Sequence, residues 1–172
     1  AMRFKKAKKV MQKSLIEFVK KAKSIIKKFD TTFNEKIKII DTEYRKLVDE
    51  KISPLLKDDK TEEALSILEN QRKELEEYKK EQMNILNKSI DDILTPYTNS
   101  IEKRIDSPGF VLNVELSEKG KGELRAKWQE LAASQKLELD KDKTNIIKSS
   151  GYKRLDEMIA EVTKLIAEIK NK

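Results

Sequence analysis

Apolar side chains recur at every third or fourth position through the first 48 residues. They are Phe4, Ala7, Met11, Leu15, Phe18, Ala22, Ile26, Phe29, Phe33, Ile37, Ile40, Tyr44, Leu47 and Val48. The mean advance is close to the 3.6-residue turn of an α-helix, so these positions form one stripe and the polar residues between them the opposite face. No Gly or Pro interrupts the stripe before Pro54. Asp30-Thr31-Thr32 is the one soft spot, where Thr32 and Glu35 would suit a capping box. The pattern predicts a single helix of about 50 residues, bent at most at that point.

Ser53-Pro54 through Lys60 reads as a turn, because Pro lacks an N–H and its ring crowds the preceding helical turn. Asp58, Asp59 and Thr61 offer N-cap oxygens for the next helix, and Glu62 either completes a capping box with Asp59 or supports Thr61 as the cap. The second stripe is Leu65, Leu68, Leu75, Tyr78, Gln82, Leu86, Ile90, Ile93, Tyr97, Ile101 and Ile105. It keeps its phase through Pro96, which predicts a kinked helix continuing to about Asp106. Two helices of matched length, each about 70 Å long, joined by a short turn make an antiparallel hairpin whose stripes bury one another.

Asp106-Ser107-Pro108-Gly109 is the clearest breaker in the chain. Phe110, Leu112, Val114 and Leu116 then alternate with Val111, Asn113 and Glu115. That period of two suits an extended segment laid along the bundle, and Phe110-Val111-Leu112 is a candidate contact site. Gly120 and Gly122 mark the approach to a third helix, with the stripe Leu124, Trp128, Leu131, Gln135, Leu139 and Ile146. Trp128 is in phase with its neighbours and reads as core. After Gly151 the last stripe, Tyr152, Leu155, Ile159, Val162, Ile166 and Ile169, is widened by Met158 and Leu165.

The expected architecture is all-α: an elongated antiparallel hairpin of two long helices plus two shorter C-terminal helices. Together they make a three- to four-helix, coiled-coil-like bundle. The expected divisions are a hairpin over 1–106 with its turn at 53–60, an irregular connector over 107–122, and C-terminal helices over 123–172 completing the bundle.

Composition removes whole classes of chemistry. The 172 residues include no Cys and no His, four Gly and three Pro. Thiol nucleophiles, Ser-His-Asp triads, zinc fingers and histidine-ligated metals are excluded by their missing residues. No phosphate-cradling glycine loop is present. Asp91-Asp92, Glu62-Glu63 and Glu76-Glu77 are adjacent carboxylates. Neighbouring residues on a helix diverge by about 100°, so these pairs read as solvated faces. Tyr44, Tyr78 and Tyr97 lie in the stripes, with hydroxyls expected at the rim. The expectation is therefore no enzyme, no catalytic residue, no cofactor and no metal site.

Charge is where the chain departs from an ordinary bundle. The formal net charge is +7, but residues 1–29 carry Arg3 and ten lysines against one acid, Glu17. Those lysines are Lys5, Lys6, Lys8, Lys9, Lys13, Lys20, Lys21, Lys23, Lys27 and Lys28. The segment is +10 and the other 143 residues sum to −3. Like charges four apart, such as Lys5 and Lys9, cost a few tenths of a kcal/mol each, and positive charge near a helix start opposes the macrodipole. A solvated face accounts for such a segment as well as an anionic partner does.

The leading expectation is a non-enzymatic interaction or scaffold protein whose lysine-rich helix contacts an anionic partner, an acidic protein or nucleic-acid backbone. A peripheral module on anionic lipid is the first alternative. A further alternative rests on Tyr44 to Leu94, with Pro54-Leu55-Leu56 followed by Thr61-Glu62-Glu63-Ala64-Leu65. That stretch is similar in rhythm to the helix–turn–helix portions of receptor sensor bundles, and the likeness implies a ligand-binding domain. Homo-oligomerisation through helix faces is also open. The longest apolar runs are far below the roughly 18 residues of a membrane span, and no secretory signal is visible, which points to the cytoplasm. Ala1 before Met2 reads as an addition ahead of a natural start.

Overall fold

The computed structural model describes residues 2–106 and 116–172, with side chains described from Lys5 onwards. Every element among them is helical. Helix α1 spans Met2–Leu47, a π-helical turn Val48–Ile52, α2 Ser53–Lys57, α3 Thr61–Asp106, α4 Glu118–Ile147 and α5 Ser150–Lys170. The breaker at 107–109, most of the alternating segment and the Phe110-Val111-Leu112 cluster lie outside the described residues, as does the Phe4 side chain.

Helix α1 runs unbroken through Asp30-Thr31-Thr32, as its stripe requires. The helix then outlasts the expected stop at Pro54. In the π-turn the Ser53 N–H reaches back five residues to the Val48 carbonyl, and Pro54 is already inside α2. The wider turn takes up an extra residue where the proline ring would otherwise press on the preceding carbonyl. The reversal is therefore tighter and later than 53–60. Its hydrogen bonds, Asp59 N–H to Leu56 O at 3.3 Å and Lys60 N–H to Leu55 O at 2.8 Å, form a Schellman cap. Asp59 occupies the left-handed position with φ of 59°. It serves the end of α2 and does not cap α3.

Helix α3 passes through Pro96. Pro96 and Asp92 are both exposed, so the carbonyl bond lost to proline falls where water can replace it. Helix α4 begins five residues before the expected 123. The Ser117 hydroxyl accepts the Gly120 N–H at 3.1 Å, an N-cap strong enough to place both glycines inside the first turns. Ser149 caps α5 in the same way, accepting from Tyr152 N–H.

The chain contacts group into two compact units that do not follow chain order. Unit one holds Ala1–Lys27 and Leu86–Thr144; unit two holds Lys28–Ile85 and Asn145–Lys172. Each combines a stretch of α1, a stretch of α3 and one C-terminal helix. The core of unit two is built from Phe33, Ile37 and Tyr44 of α1, Leu68 and Leu75 of α3, and the inner face of α5. Phe33 stands at its centre, with ring centroids 5.6 Å from Phe29, 6.3 Å from Tyr78 and 6.1 Å from Tyr152. Each fully buried aliphatic side chain contributes about 1.5–3 kcal/mol.

In unit one the buried side of α1 is Ala7, Met11, Leu15, Val19, Ala22 and Ile26. Tyr97 of α3 organises the layer above it. Its ring stacks on Phe18 at 4.0 Å and meets Trp128 edge-on at 5.5 Å, and its hydroxyl donates to the Met11 carbonyl at 3.4 Å. The Tyr97 hydroxyl thus turns inward and not to the rim, whereas that of Tyr44 meets the exposed Glu161 carboxylate. Tyr97 and Tyr44 are buried, and the Tyr78 hydroxyl is enclosed without a partner among the described residues.

Candidate anion-binding face and a cavity in unit one

The lysines of residues 1–29 inherit their positions from the α1 stripe. Once Met11, Leu15, Ala22 and Ile26 face the core of unit one, the helical period sends the intervening cations outward. Lys5, Lys6, Lys9, Lys13, Lys20, Lys21, Lys23, Lys27 and Lys28 are exposed, and Lys8 is half-buried. At 100° per residue, Lys5, Lys9, Lys13, Lys20, Lys23 and Lys27 fall within a sector of roughly 80°. They extend over about 33 Å of helix axis. Ile16, half exposed, lies in the middle of that sector. Lys21 is set apart, with Nζ 5.1 Å from the centroid of the Phe18 ring.

The unit supplies little negative charge to this face. Counted from the sequence, unit one carries +8 and unit two −1, so the whole excess of the chain resides in unit one. The acids at the end of α3 are already engaged: Asp106 and Glu102 both pair with Arg125 of α4. On α4, Glu118, Glu130, Glu138 and Asp140 pair locally with Lys121, Lys127, Lys141 and Lys143. Among the described residues, no ion pair joins Lys5, Lys6, Lys8, Lys9, Lys13, Lys20, Lys23 or Lys28 to a carboxylate.

The acid pairs singled out in the sequence do not converge on a site. No group of three carboxylates able to hold a metal ion occurs among the described residues. The perturbed groups are structural. Asp41 is held below the usual carboxylate range by hydrogen bonds from Arg154, against the opposing effect of burial. Burial pushes the hydroxyls of Tyr44 and Tyr97 up to about 12.

One feature had only a faint trace in the sequence. Unit one contains a half-open cavity of about 370 Å³ between α1, α3 and α4. Its floor includes Leu15, Ile90, Leu94, Tyr97, Trp128 and Leu139; its walls carry Asp91 and Thr95 of α3 and Gln135 and Lys136 of α4. The gap follows from the α4 stripe. Between Trp128 and Leu139 that helix brings Ala132, Ala133, Gln135 and Lys136 to the cavity, with no large apolar side chain among them to fill it. Gln135 standing where a large apolar residue was due is the signal.

No helix among the described residues is long and apolar enough to cross a membrane. Comparison with known proteins returned no matching family model, curated protein or solved structure.

Proposed function

We propose that this chain is a non-enzymatic helical interaction protein that binds an extended anionic macromolecule, nucleic-acid backbone or an acidic protein, along the lysine face of α1. One observation carries the reading. Among the described residues, eight lysines of one helix lack carboxylate partners, while Glu102, Asp106, Glu118, Glu130, Glu138 and Asp140 of the same unit pair with α4 cations. Lysine is a compact point charge without the planar fork that reads bases, so binding is sequence-blind and steeply salt-dependent.

The burial of the α1 stripe weighs against the lipid alternative in its inserting form. A helix lying in a bilayer interface needs its apolar face free, and Met11, Leu15, Ala22 and Ile26 are committed to the core.

The test is retention on heparin, duplex DNA and polyglutamate across about 50 to 200 mM salt, with phosphatidylserine vesicles as a fourth surface. Wild type is expected to be retained at low salt and released as salt rises. Lys9→Glu/Lys13→Glu/Lys20→Glu/Lys23→Glu is expected to lose retention while keeping its helical circular dichroism. Absence of retention by wild type, or equal retention of the reversed variant, overturns the reading. Binding confined to vesicles does so too.

A further inference from the structure

We infer that the cavity of unit one is a binding site for a small zwitterion with an apolar body, of which a free aromatic amino acid is the simplest member. This goes beyond the lysine face, which occupies a different sector of α1 from Leu15 and Val19.

The size and the floor fix the body of the ligand. About 370 Å³ falls at the lower end of the 300–1,000 Å³ range of small-molecule sites. The floor is aliphatic and aromatic, with Trp128 and Tyr97 meeting edge-on at 5.5 Å. The Tyr97 hydroxyl is spent on the Met11 carbonyl, so that ring presents carbon and not a polar tip. An apolar floor of this kind favours an apolar guest.

The walls fix the head. Four charged side chains line the cavity, and two of them are satisfied by protein: Lys143 lies 3.7 Å from Asp140 and donates to Asn87 Oδ1 at 3.1 Å. The remaining two, Asp91 on α3 and Lys136 on α4, have no ion pair or hydrogen bond among the described residues. One free carboxylate and one free ammonium on different walls match a head bearing both charges. An ammonium faces Asp91, a carboxylate faces Lys136, and Thr98 and Gln135 supply neutral hydrogen bonds. A simple cation or a simple anion would engage only one of the two walls.

Trp128 is the only tryptophan of the chain, so its emission, excited where only indole absorbs, reports on this cavity alone. The full-length chain is titrated with L-phenylalanine, phenethylamine and 3-phenylpropionate, which share the body and differ in the head. Phenylalanine is expected to give a saturable change, with the amine and the acid each at least roughly tenfold weaker. Asp91→Asn and Lys136→Gln, both at exposed positions, are each expected to weaken phenylalanine roughly tenfold and leave the urea midpoint unchanged. Ala132→Leu, which fills the gap, is expected to abolish the response. No saturable change with phenylalanine overturns the inference. So does equal binding of all three probes, or binding indifferent to both charge-removing variants.

Discussion

The side-chain oxygen of Asn34, in the middle of α1, accepts the backbone N–H of Gly151 at 2.9 Å, in the first turn of α5. That N–H is one of the unpaired donors at a helix start, so a residue 117 positions away completes the cap that Ser149 begins. The bond is only reachable because residue 151 has no side chain. A Cβ there would overlap Asn34 Oδ1 and come within 3.1 Å of the Asn34 Cα. In sequence Gly151 reads as punctuation between helices; in the structure it is a buried contact surface within unit two.

Gly151→Ala is therefore expected to destabilise the protein by about 1–3 kcal/mol, the range of overpacking, although alanine is the better helix former. Asn34→Ala should cost about 1 kcal/mol through the lost bond. The double variant should be less harmful than the two single effects combined, because removing the Asn34 amide frees part of the space the methyl needs. Urea denaturation of the four proteins measures the coupling. Additive effects would mean that the two residues do not act on one another.

Asp59 gives the opposite case, a position where the sequence is not optimal for its backbone. It is the only non-glycine residue with positive φ among those described, and it sits at the left-handed position of the Schellman cap ending α2. A side chain there costs roughly 1 kcal/mol that glycine avoids, part of it returned as unfolded-state entropy. Asp59→Gly should raise the thermal midpoint by a few degrees and Asp59→Ala should lower it. Scanning calorimetry on the pair decides, and a drop with glycine would contradict the assigned turn.

What could be read from the residues follows from how far each signal reaches. The α1 and α3 stripes repeat over a dozen turns, so single soft spots such as Asp30-Thr31-Thr32 and Pro96 did not break the phase. Both helices run through. Signals confined to one residue misled. Pro54 suggested a turn because proline disfavours regular α-geometry, but a π-turn gives the same relief inside a helix. Gly120 and Gly122 suggested a loose approach to α4, and the hydroxyl of Ser117 outweighed them. The lysine face was legible because exposure is the complement of the stripe. The cavity was not, since a gap depends on three helices together and only Gln135 hinted at it. The partition into two units likewise depends on which parts of α1 and α3 each C-terminal helix covers, and no local pattern states that.

Stability should be flat from about pH 5 to pH 9, because the chain has no His and no Cys to titrate there. The acid limb belongs in part to Asp41, whose Oδ1 accepts from Arg154 Nε at 3.0 Å and Nη2 at 2.8 Å, and from Arg45 at 3.2 Å. Its pKa is lowered in the fold, so the native state holds fewer protons than the unfolded chain there. The contribution is present above the ordinary carboxylate pKa and is lost as pH falls through the lowered value. The alkaline limb belongs to Tyr44 and Tyr97, raised to about 12 mainly by burial. Here the native state holds the extra proton, so stability is intact below pH 10 and falls as pH rises from there through about 12. Urea midpoints measured across this range should trace a plateau with both edges. Arg154→Met should cost about 1–2 kcal/mol at neutral pH and flatten the acid edge.

The lysine face offers a test in which stability and binding move in opposite directions. Lys9 has Lys5 and Lys13 one turn away on either side, and all three are exposed. Lys9→Glu converts two repelling i,i+4 pairs into two attracting ones, a gain of about 0.5–1 kcal/mol at low salt that fades as salt screens it. A face kept only for solubility would show that gain and nothing else. A face that holds a polyanion should also show weaker heparin and DNA retention, since the variant both removes a cation and adds an acid in the middle of the contact. The measurement is a paired one, urea midpoint and salt-elution point on the same variant at low and high ionic strength. A more stable protein that elutes earlier supports a binding face. A more stable protein that elutes unchanged returns these lysines to the role of solvated surface.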